Sequence, residues 1–401
     1  MPHEREKNSC RRPNFFRQHN LAGHSFMITN SLSLRHFRNL EETVLQPDPA
    51  VNIFYGQNAQ GKTNLLEAIW MFTGSRSFRN AKDSELLAFH EKQAQLELTF
   101  TAGKRIQQAS ITFQENKRRV RLNDVPLKSS MGLAGEFCAV IFAPEHLALV
   151  KDGPAVRRTF LDEAICPLRP RHAAILSAYH KALIQRNALL KDIPHHMELL
   201  DTLDIWDERI SKLGASILFA RLRYLARLLP KAERLHQAIS SSHEKAAFQY
   251  ESAKELKDCL QAETLHAVEI EQALLNVLQN RRRIDIETGI TGAGPHRDDI
   301  LIHIAGLPAR TFASQGQQRT AALALKLAEA EVLNDVIGEP PILLLDDVFS
   351  ELDAVRREYL INHIDNAQVF ITCCDPQGLA PKAGAVFSLS NGQIRRGFTA
   401  S

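Results

Sequence analysis

Two short stretches of this chain carry residue types suited to phosphate chemistry. Gly56-Gln57-Asn58-Ala59-Gln60-Gly61-Lys62-Thr63 has the spacing GxxxxGK[ST], and its flanks supply the context such a loop requires. The apolar run Val51-Asn52-Ile53-Phe54 reads as a strand before it. A helix is expected after it, from Thr63 to Phe72, with Leu65, Ile69 and Phe72 on one face. Glycines let several backbone N–H groups close on a phosphate chain, and the helix N-terminus adds the positive end of its dipole. Lys62 then offers charge to the β- and γ-phosphates, Thr63 offers a hydroxyl to Mg²⁺, and Asn64 completes the set facing the nucleotide. A Gly-Lys turn without function is the bland alternative, and the flanking elements argue against it.

The second stretch is Ile342-Leu343-Leu344-Leu345-Asp346-Asp347, an apolar strand ending in two carboxylates. Asp346 is placed to hold Mg²⁺ through water and Asp347 to polarise an attacking water. Two acids after a buried strand can instead cap a following helix, but beside a phosphate loop they read as the other half of a nucleotide site. ATP and Mg²⁺ are therefore the expected cofactors, with Lys62 and Asp347 as the catalytic pair. Most of the chain separates the two halves, unlike in compact kinases and small GTPases.

Holding these halves together calls for an α/β fold. Residues 27–156 read as a strand-rich lobe, with Ile111-Thr112-Phe113 and Val120-Arg121-Leu122 as a hairpin about Gln114-Glu115-Asn116-Lys117. Residues 157–283 turn rich in Leu, Ala, Glu, Lys and Arg and read as a helical insertion, including a helix from Ile205 to Leu229 ended by Pro230. Strand-like runs return over 284–401. Residues 1–26 form an Arg-rich lead, expected to be a disordered extension or the product of a misassigned start, with Met27 the real one.

Composition narrows the class further. At 401 residues, 44% hydrophobic and 24% charged, the chain fits a globular protein with a sizeable core. The formal charge of +3, from 49 basic against 46 acidic residues, announces no nucleic-acid binder, so any such contact must come from local patches. The six cysteines show no CxxC spacing and read as reduced thiols, with Cys373-Cys374 at a strand end. No run approaches the ~18 apolar residues of a membrane helix, so no membrane partner and a cytoplasmic location are expected. His195-His196 read as surface or core residues.

Between insertion and acid pair stands Ser314-Gln315-Gly316-Gln317-Gln318-Arg319, with a helix expected from Thr320 to about Asn334. A polar turn capping an Ala-rich helix is its plain reading. It also resembles the signature motif of ABC-type ATPases in the form found in the RecF family. Further stretches match that family in order: Phe37-Arg38-Asn39-Leu40, Gly74-Ser75-Arg76-Ser77-Phe78-Arg79, Phe142-Ala143-Pro144-Glu145, Arg157-Arg158-Thr159-Phe160-Leu161-Asp162, Gly294-Pro295-His296-Arg297-Asp298-Asp299 and Phe349-Ser350-Glu351-Leu352-Asp353.

The resemblance implies a P-loop NTPase of the ABC/SMC-head type with an inserted helical subdomain. It implies that Ser314, Gln315, Gly316 and Gln317 meet the γ-phosphate held by a second copy, in an ATP-dependent homodimer. Arg38 would touch the nucleotide phosphates or base region, Arg79, with Arg76 the alternative, would sense DNA or nucleotide, Asp353 would communicate across the dimer, and Glu145 would lie near a lid position. Implied partners are double-stranded DNA and single-strand/duplex junctions, RecR and RecO, and indirectly the recombinase RecA, in DNA repair and replication. Two departures from transporter-type ATPases stand out: Thr372-Cys373 in place of a switch histidine, and Asp347 in place of Glu. The shorter acid suggests slow hydrolysis, a weak ATPase used as a switch.

Local charge offers two candidate phosphate contacts, Lys117-Arg118-Arg119 with Arg121, and Arg281-Arg282-Arg283. Solvated charge runs are the common alternative. Competing functions are a transporter subunit, which would need an LSGGQ-like signature and a coupling surface, and an SMC-type structural head. The insertion is too short for the coiled coil of the latter.

Overall fold

The computed structural model describes residues 26–397, apart from 115–116, 241–243, 261–265, 351, 365, 377–378 and 380–382. Residues 1–25 of the Arg-rich lead, and with them both readings of it, therefore lie outside the described residues, as do Glu115, Asn116 and Glu351.

The alternation starting at Ile28 forms an antiparallel hairpin, β1 (Ile28–Phe37) with β2 (Leu40–Leu45), and β3 (Val51–Tyr55) then leads into the phosphate loop and α1 (Lys62–Trp70). Four strands, β4 (Gln93–Ala102), β5 (Arg105–Gln114), β6 (Lys117–Leu122) and β7 (Val125–Leu127), extend that hairpin into a sheet of order β2-β1-β4-β5-β6-β7. Next, β8 (Ala139–Phe142) joins a second sheet, and helices α2 (Ala148–Lys151), α3 (Pro154–Ile165), α4 (His172–Asp192) and α5 (Leu203–Ile239) follow. The chain continues through β9 (Ala246–Glu251), α6 (Lys257–Leu260), α7 (Ala267–Thr288), β10 (Asp299–Ile304), β11 (Leu307–Pro308) and α8 (Ala309–Phe312). It ends with α9 (Gln315–Ile337), β12 (Ile342–Asp346), α10 (Ala354–His363), β13 (Val369–Cys373), β14 (Ala385–Ser390) and β15 (Gln393–Arg396).

The second sheet has order β15-β14-β3-β13-β12-β8 and carries the chemistry. Its central members are parallel. β12 and β13 are buried along their whole length, as befits apolar strands covered on both faces. One face packs with α1 and the antiparallel sheet, through Leu65, Ile69, Phe72, Leu96 and Phe370. Phe54 stacks there on Phe370 and Phe387, with ring centroids 6.1 and 4.9 Å away. The opposite face packs against α9 and α5, through Leu325, Ala328, Leu228 and Leu345. The helix that carries the phosphate loop is thus wedged between two sheets, which fixes its position.

Two expectations from sequence need correction. The helix read as ending at Leu229 runs through Pro230 to Ile239. An interior proline costs about 3 kcal/mol, but Ala232, Leu235 and Ile239 beyond it are buried, and each large apolar side chain recovers roughly 1.5–3 kcal/mol. The stretch 157–283 is also not wholly helical. The alternating segment Ala246–Glu251 forms β9 and pairs antiparallel with β10, Phe248 facing Ile302.

Candidate nucleotide site

Parallel pairing brings the distant motifs together. The register of β12 on β13 sets Asp346 opposite Thr372, and that of β13 on β3 sets Cys373 opposite Tyr55, immediately before Gly56. Strand ends that carry a phosphate loop and an acid pair therefore share one edge of the sheet. Gly56 has no room for a side chain, since a Cβ would stand 2.4 Å from the Leu389 carbonyl oxygen. Gly61 turns the loop into α1 at φ 107, a conformation open to glycine. Ala59 sits at φ 65, in the left-handed region that favours glycine.

The N-terminus of α1 has no side-chain cap and no acid in its first turn. Its leading N–H groups are left for an external acceptor, the arrangement that binds phosphate. Lys62 is buried, and its ammonium donates to the Gly56 carbonyl and, at 2.9 Å, to that of Gln57. The charge is thus held over the loop. Asn39 braces this turn from β1–β2, donating to the Ala59 carbonyl at 3.3 Å and accepting from Asn64 at 2.8 Å. The Gln60 side chain accepts from the Asn391 amide at 2.6 Å, which ties the loop to the far edge of the sheet.

Thr63 donates from Oγ1 to Asp346 Oδ1 at 2.9 Å, across 283 positions of sequence. Thr372 donates to the same oxygen at 2.8 Å and accepts the Asp347 amide at 2.9 Å. Burial pushes the Asp346 carboxyl above its ordinary range; the two threonine donors counter this, while the Glu145 and Asp347 carboxylates add to it. A buried carboxylate bonded to the Thr63 hydroxyl is a pair of hard oxygen donors of the kind a divalent cation such as Mg²⁺ takes. Asp347 has φ 49, a sparsely populated conformation of the kind that gathers at functional sites.

The signature stretch is the first turn of α9 rather than a turn before it. Ser314 caps the helix: its Oγ accepts from the Gln317 amide at 3.2 Å, and the Gln317 side chain returns the bond to the Ser314 amide at 2.7 Å. This reciprocal box starts α9 five residues earlier than the apolar pattern indicates. Because the Ser314 hydroxyl is used as an acceptor, its proton remains free to donate outward. Asp353 caps α10 through the Arg356 amide at 2.9 Å. Arg356 pairs with the Asp353 carboxylate and reaches Thr320 Oγ1 on α9 at 2.6 Å. One guanidinium thus joins the segment after the acid pair to the signature helix.

The chain is similar to known proteins over most of its length. The family model described as "RecF/RecN/SMC N terminal domain" matches residues 28–391. A protein of Acetivibrio thermocellus named "DNA replication and repair protein RecF" is 38% identical over 352 residues, 88% of this chain and 94% of that protein. The protein of that name from Alkaliphilus oremlandii is 37% identical, over 92% of this chain and all of its own length. The chain belongs to the RecF family.

A solved structure of "the recombination mediator protein RecF-ATPrS in RecFOR pathway" superposes with a TM-score of 0.85 at 35% identity, covering 93% of this chain and 99% of that one. An Smc head domain from Pyrococcus furiosus gives 0.52 at 13% identity over 93% of this chain and 96% of that one, a likeness of fold alone. The α/β head of RecF and SMC proteins is therefore the architecture of this chain.

The remaining candidate residues of this RecF chain fall in different surroundings. Arg38, at φ 54, is gripped by the fully buried Glu67, from Nε at 2.7 Å and Nη2 at 3.0 Å, and Ser77 also donates to Glu67. Its fork is thereby committed to the protein. Arg79 reaches Asn64 Oδ1 at 3.2 Å, next to the phosphate loop. In the hairpin, Lys117, Arg119 and Arg121 are exposed on one face of β6, whereas Arg118 points to the other and is bound to Asp83. The second cluster is engaged at every member: Arg281 with Glu255, Arg282 with Asp204 and Asp207, Arg283 with Glu287. Its charge is locally matched and ties α7 to its neighbours, so it makes a poor phosphate contact.

Thr372, Asn39 and Arg356 take part in the site without having been assigned a role there from sequence. A lone hydroxyl in the apolar run Val369–Cys373 is the signal that marks Thr372. Nothing local marks Arg356, whose role depends on the packing of α10 against α9. The cysteine pair splits: Cys373 is buried and its thiol is pushed up to about 11 by burial, while Cys374 is exposed, 3.8 Å from the Lys62 ammonium and 3.2 Å from Asn58 Oδ1.

Proposed function

We propose that this chain is an ATP-dependent DNA-binding protein of recombinational repair and replication, a slow ATPase that dimerises on ATP. Gly56 to Asn64 cradle the triphosphate, Lys62 neutralises it, Thr63 and Asp346 hold Mg²⁺, and Asp347 orients the attacking water. Bound Mg²⁺ supplies charge that stabilises the transferring phosphoryl group. Ser314, Gln315, Gly316 and Gln317 of a second copy close the cage, with Asp353 beside them. The observation that carries this reading is the convergence of Thr63, Thr372 and both acids below an uncapped helix N-terminus. The names of the relatives support the repair role and the RecFOR partnership.

Asp347 is shorter than glutamate and held at an unusual backbone angle, which suits slow turnover and a long-lived closed state. Closure lasts while the γ-phosphate is intact, so nucleotide state sets residence on DNA. Lys117, Arg119 and Arg121, with Arg79, form the duplex-facing surface, and single-strand/duplex junctions are the site of action. RecR and RecO then act at that junction to help load RecA. Residues 157–283 act as an arm between lobes 27–156 and 284–401. No helix among the described residues is long and apolar enough to cross a membrane, and the cytoplasm is the proposed location.

Sedimentation of the wild type and Lys62→Ala, with and without ATP and a gapped duplex, tests the proposal. The wild type should double in mass with ATP and co-sediment with the duplex, and Lys62→Ala should do neither. A wild-type mass independent of nucleotide, without DNA association, would overturn it.

A further inference from the structure

A second basic surface lies on the helical arm, formed by residues that play no part in the nucleotide site or the β6 hairpin. Two clefts with volumes of about 540 and 160 Å³ adjoin along α5 and share Arg169 and Ala220 in their walls. Ser216, Phe219, Ala220, Arg223 and Arg227 recur at three- and four-residue steps and so share one helical face. Arg169 and Arg171, from the turn between α3 and α4, close the other side.

The chemistry of this surface is one-sided. Arg169, Arg171, Arg223 and Arg227 are all exposed, and no aspartate or glutamate lines either cleft. None of the four forms an ion pair among the described residues, in contrast to Arg281, Arg282 and Arg283 on α7. The floor is apolar, with Ile175 and Phe219 in one cleft and Leu168 and Tyr224 in the other. Arg169 and Arg223 each stand 5.7 Å from the centroid of the half-buried Phe219 ring.

We infer that this face of α5 binds single-stranded nucleic acid, with the four arginines on the phosphates and the apolar clefts taking unstacked bases around Phe219. Guanidinium forks match phosphate oxygens, and arginine interleaved with an aromatic is the pattern of a strand-tracking groove. A duplex keeps its bases stacked and would leave the floor uncovered. The inference rests on the DNA-binding reading above and refines it: the hairpin meets duplex, the arm meets the single-stranded flank of the same junction.

Fluorescence anisotropy of the full chain with ATP tests this, using fluorescein-labelled oligo-dT and a blunt duplex over a salt series. In Arg223→Gln/Arg227→Gln the slope of log affinity against log salt for oligo-dT should fall by about 1.4, roughly 0.7 for each phosphate no longer neutralised. Phe219→Leu keeps an apolar side chain on the floor and should weaken oligo-dT binding roughly tenfold with the slope unchanged. Duplex and ATP binding should be unaffected in both. Oligo-dT slopes and affinities equal to the wild type, with duplex binding intact, would overturn the inference alone. Variants that lose only a fluorescein-labelled polyglutamate would assign the surface to an acidic protein and overturn it too. Wild type that binds neither DNA would sink the broader reading as well.

Discussion

Thr372 donates from its hydroxyl to Asp346 Oδ1 at 2.8 Å, and through its oxygen the same side chain holds the amide of Asp347 at 2.9 Å. One residue on the neighbouring strand therefore sets both acids. A hydrogen bond to a charged group contributes about 1.5–3 kcal/mol, so Thr372→Val should slow hydrolysis by roughly ten- to a hundredfold. Thr372→Ser should keep most of the rate. Single-turnover ATP cleavage beside equilibrium ATP binding would check this; a valine variant at wild-type rate would remove Thr372 from the site.

Arg356 connects Asp353 to Thr320, and hence the acid pair's end of the chain to the signature helix. Arg356→Gln should leave ATP affinity of the monomer within about twofold, yet weaken ATP-dependent dimerisation by roughly tenfold, since it removes one hydrogen bond to a charged group. Sedimentation equilibrium with a non-hydrolysable nucleotide measures it. Equal losses in both properties would show that Arg356 merely supports the fold.

Much of this site was legible in sequence because its parts are local. A strand, a glycine loop and a helix start are adjacent in the chain, and the acids directly follow an apolar run. What escaped depends on contacts between distant segments: Thr372 matters only once β13 lies beside β12, and Arg356 only once α10 meets α9. Pro230 misled for the same reason, because the burial of Leu235 and Ile239 that offsets it is a tertiary effect. Ser314 is the opposite case, a local capping signal that competed with a phosphate-binding reading and turns out to be compatible with it.

Ala59 holds a left-handed conformation at φ 65 in the phosphate loop. For a residue with a Cβ this costs roughly 1–2 kcal/mol, partly offset by the greater freedom of glycine in the unfolded chain. Ala59→Gly should therefore raise stability by up to about 1 kcal/mol while keeping ATP binding. Urea denaturation would measure it, and a destabilised variant would contradict the backbone geometry.

His296 ties the loop between α7 and β10 to α4. Its Nδ1 accepts from the Tyr179 hydroxyl at 2.7 Å, and Nε2 donates to the Thr291 carbonyl at 3.0 Å. Burial lowers its pKa from 6.5 to about 4. Between those values the unfolded chain binds the extra proton and the folded chain does not, so stability is full above pH 6.5 and falls as pH drops toward 4. The loss is on the order of 3 kcal/mol at about 1.4 kcal/mol per pH unit. Urea midpoints at pH 7 and pH 5 should differ for the wild type and converge for His296→Gln; a variant with unchanged pH dependence would clear His296 of this role.

The most direct test of the central claim mixes two inactive proteins. Lys62→Ala lacks the phosphate loop's charge and Ser314→Arg blocks the signature turn, so each alone should fail to hydrolyse ATP. If each site is built from two copies, mixed dimers contain one intact pairing, the Lys62 of one protomer with the Ser314 of its partner, and hydrolysis should return on mixing. A mixture as inactive as its components, or a Ser314→Arg protein with full activity by itself, would contradict the shared site.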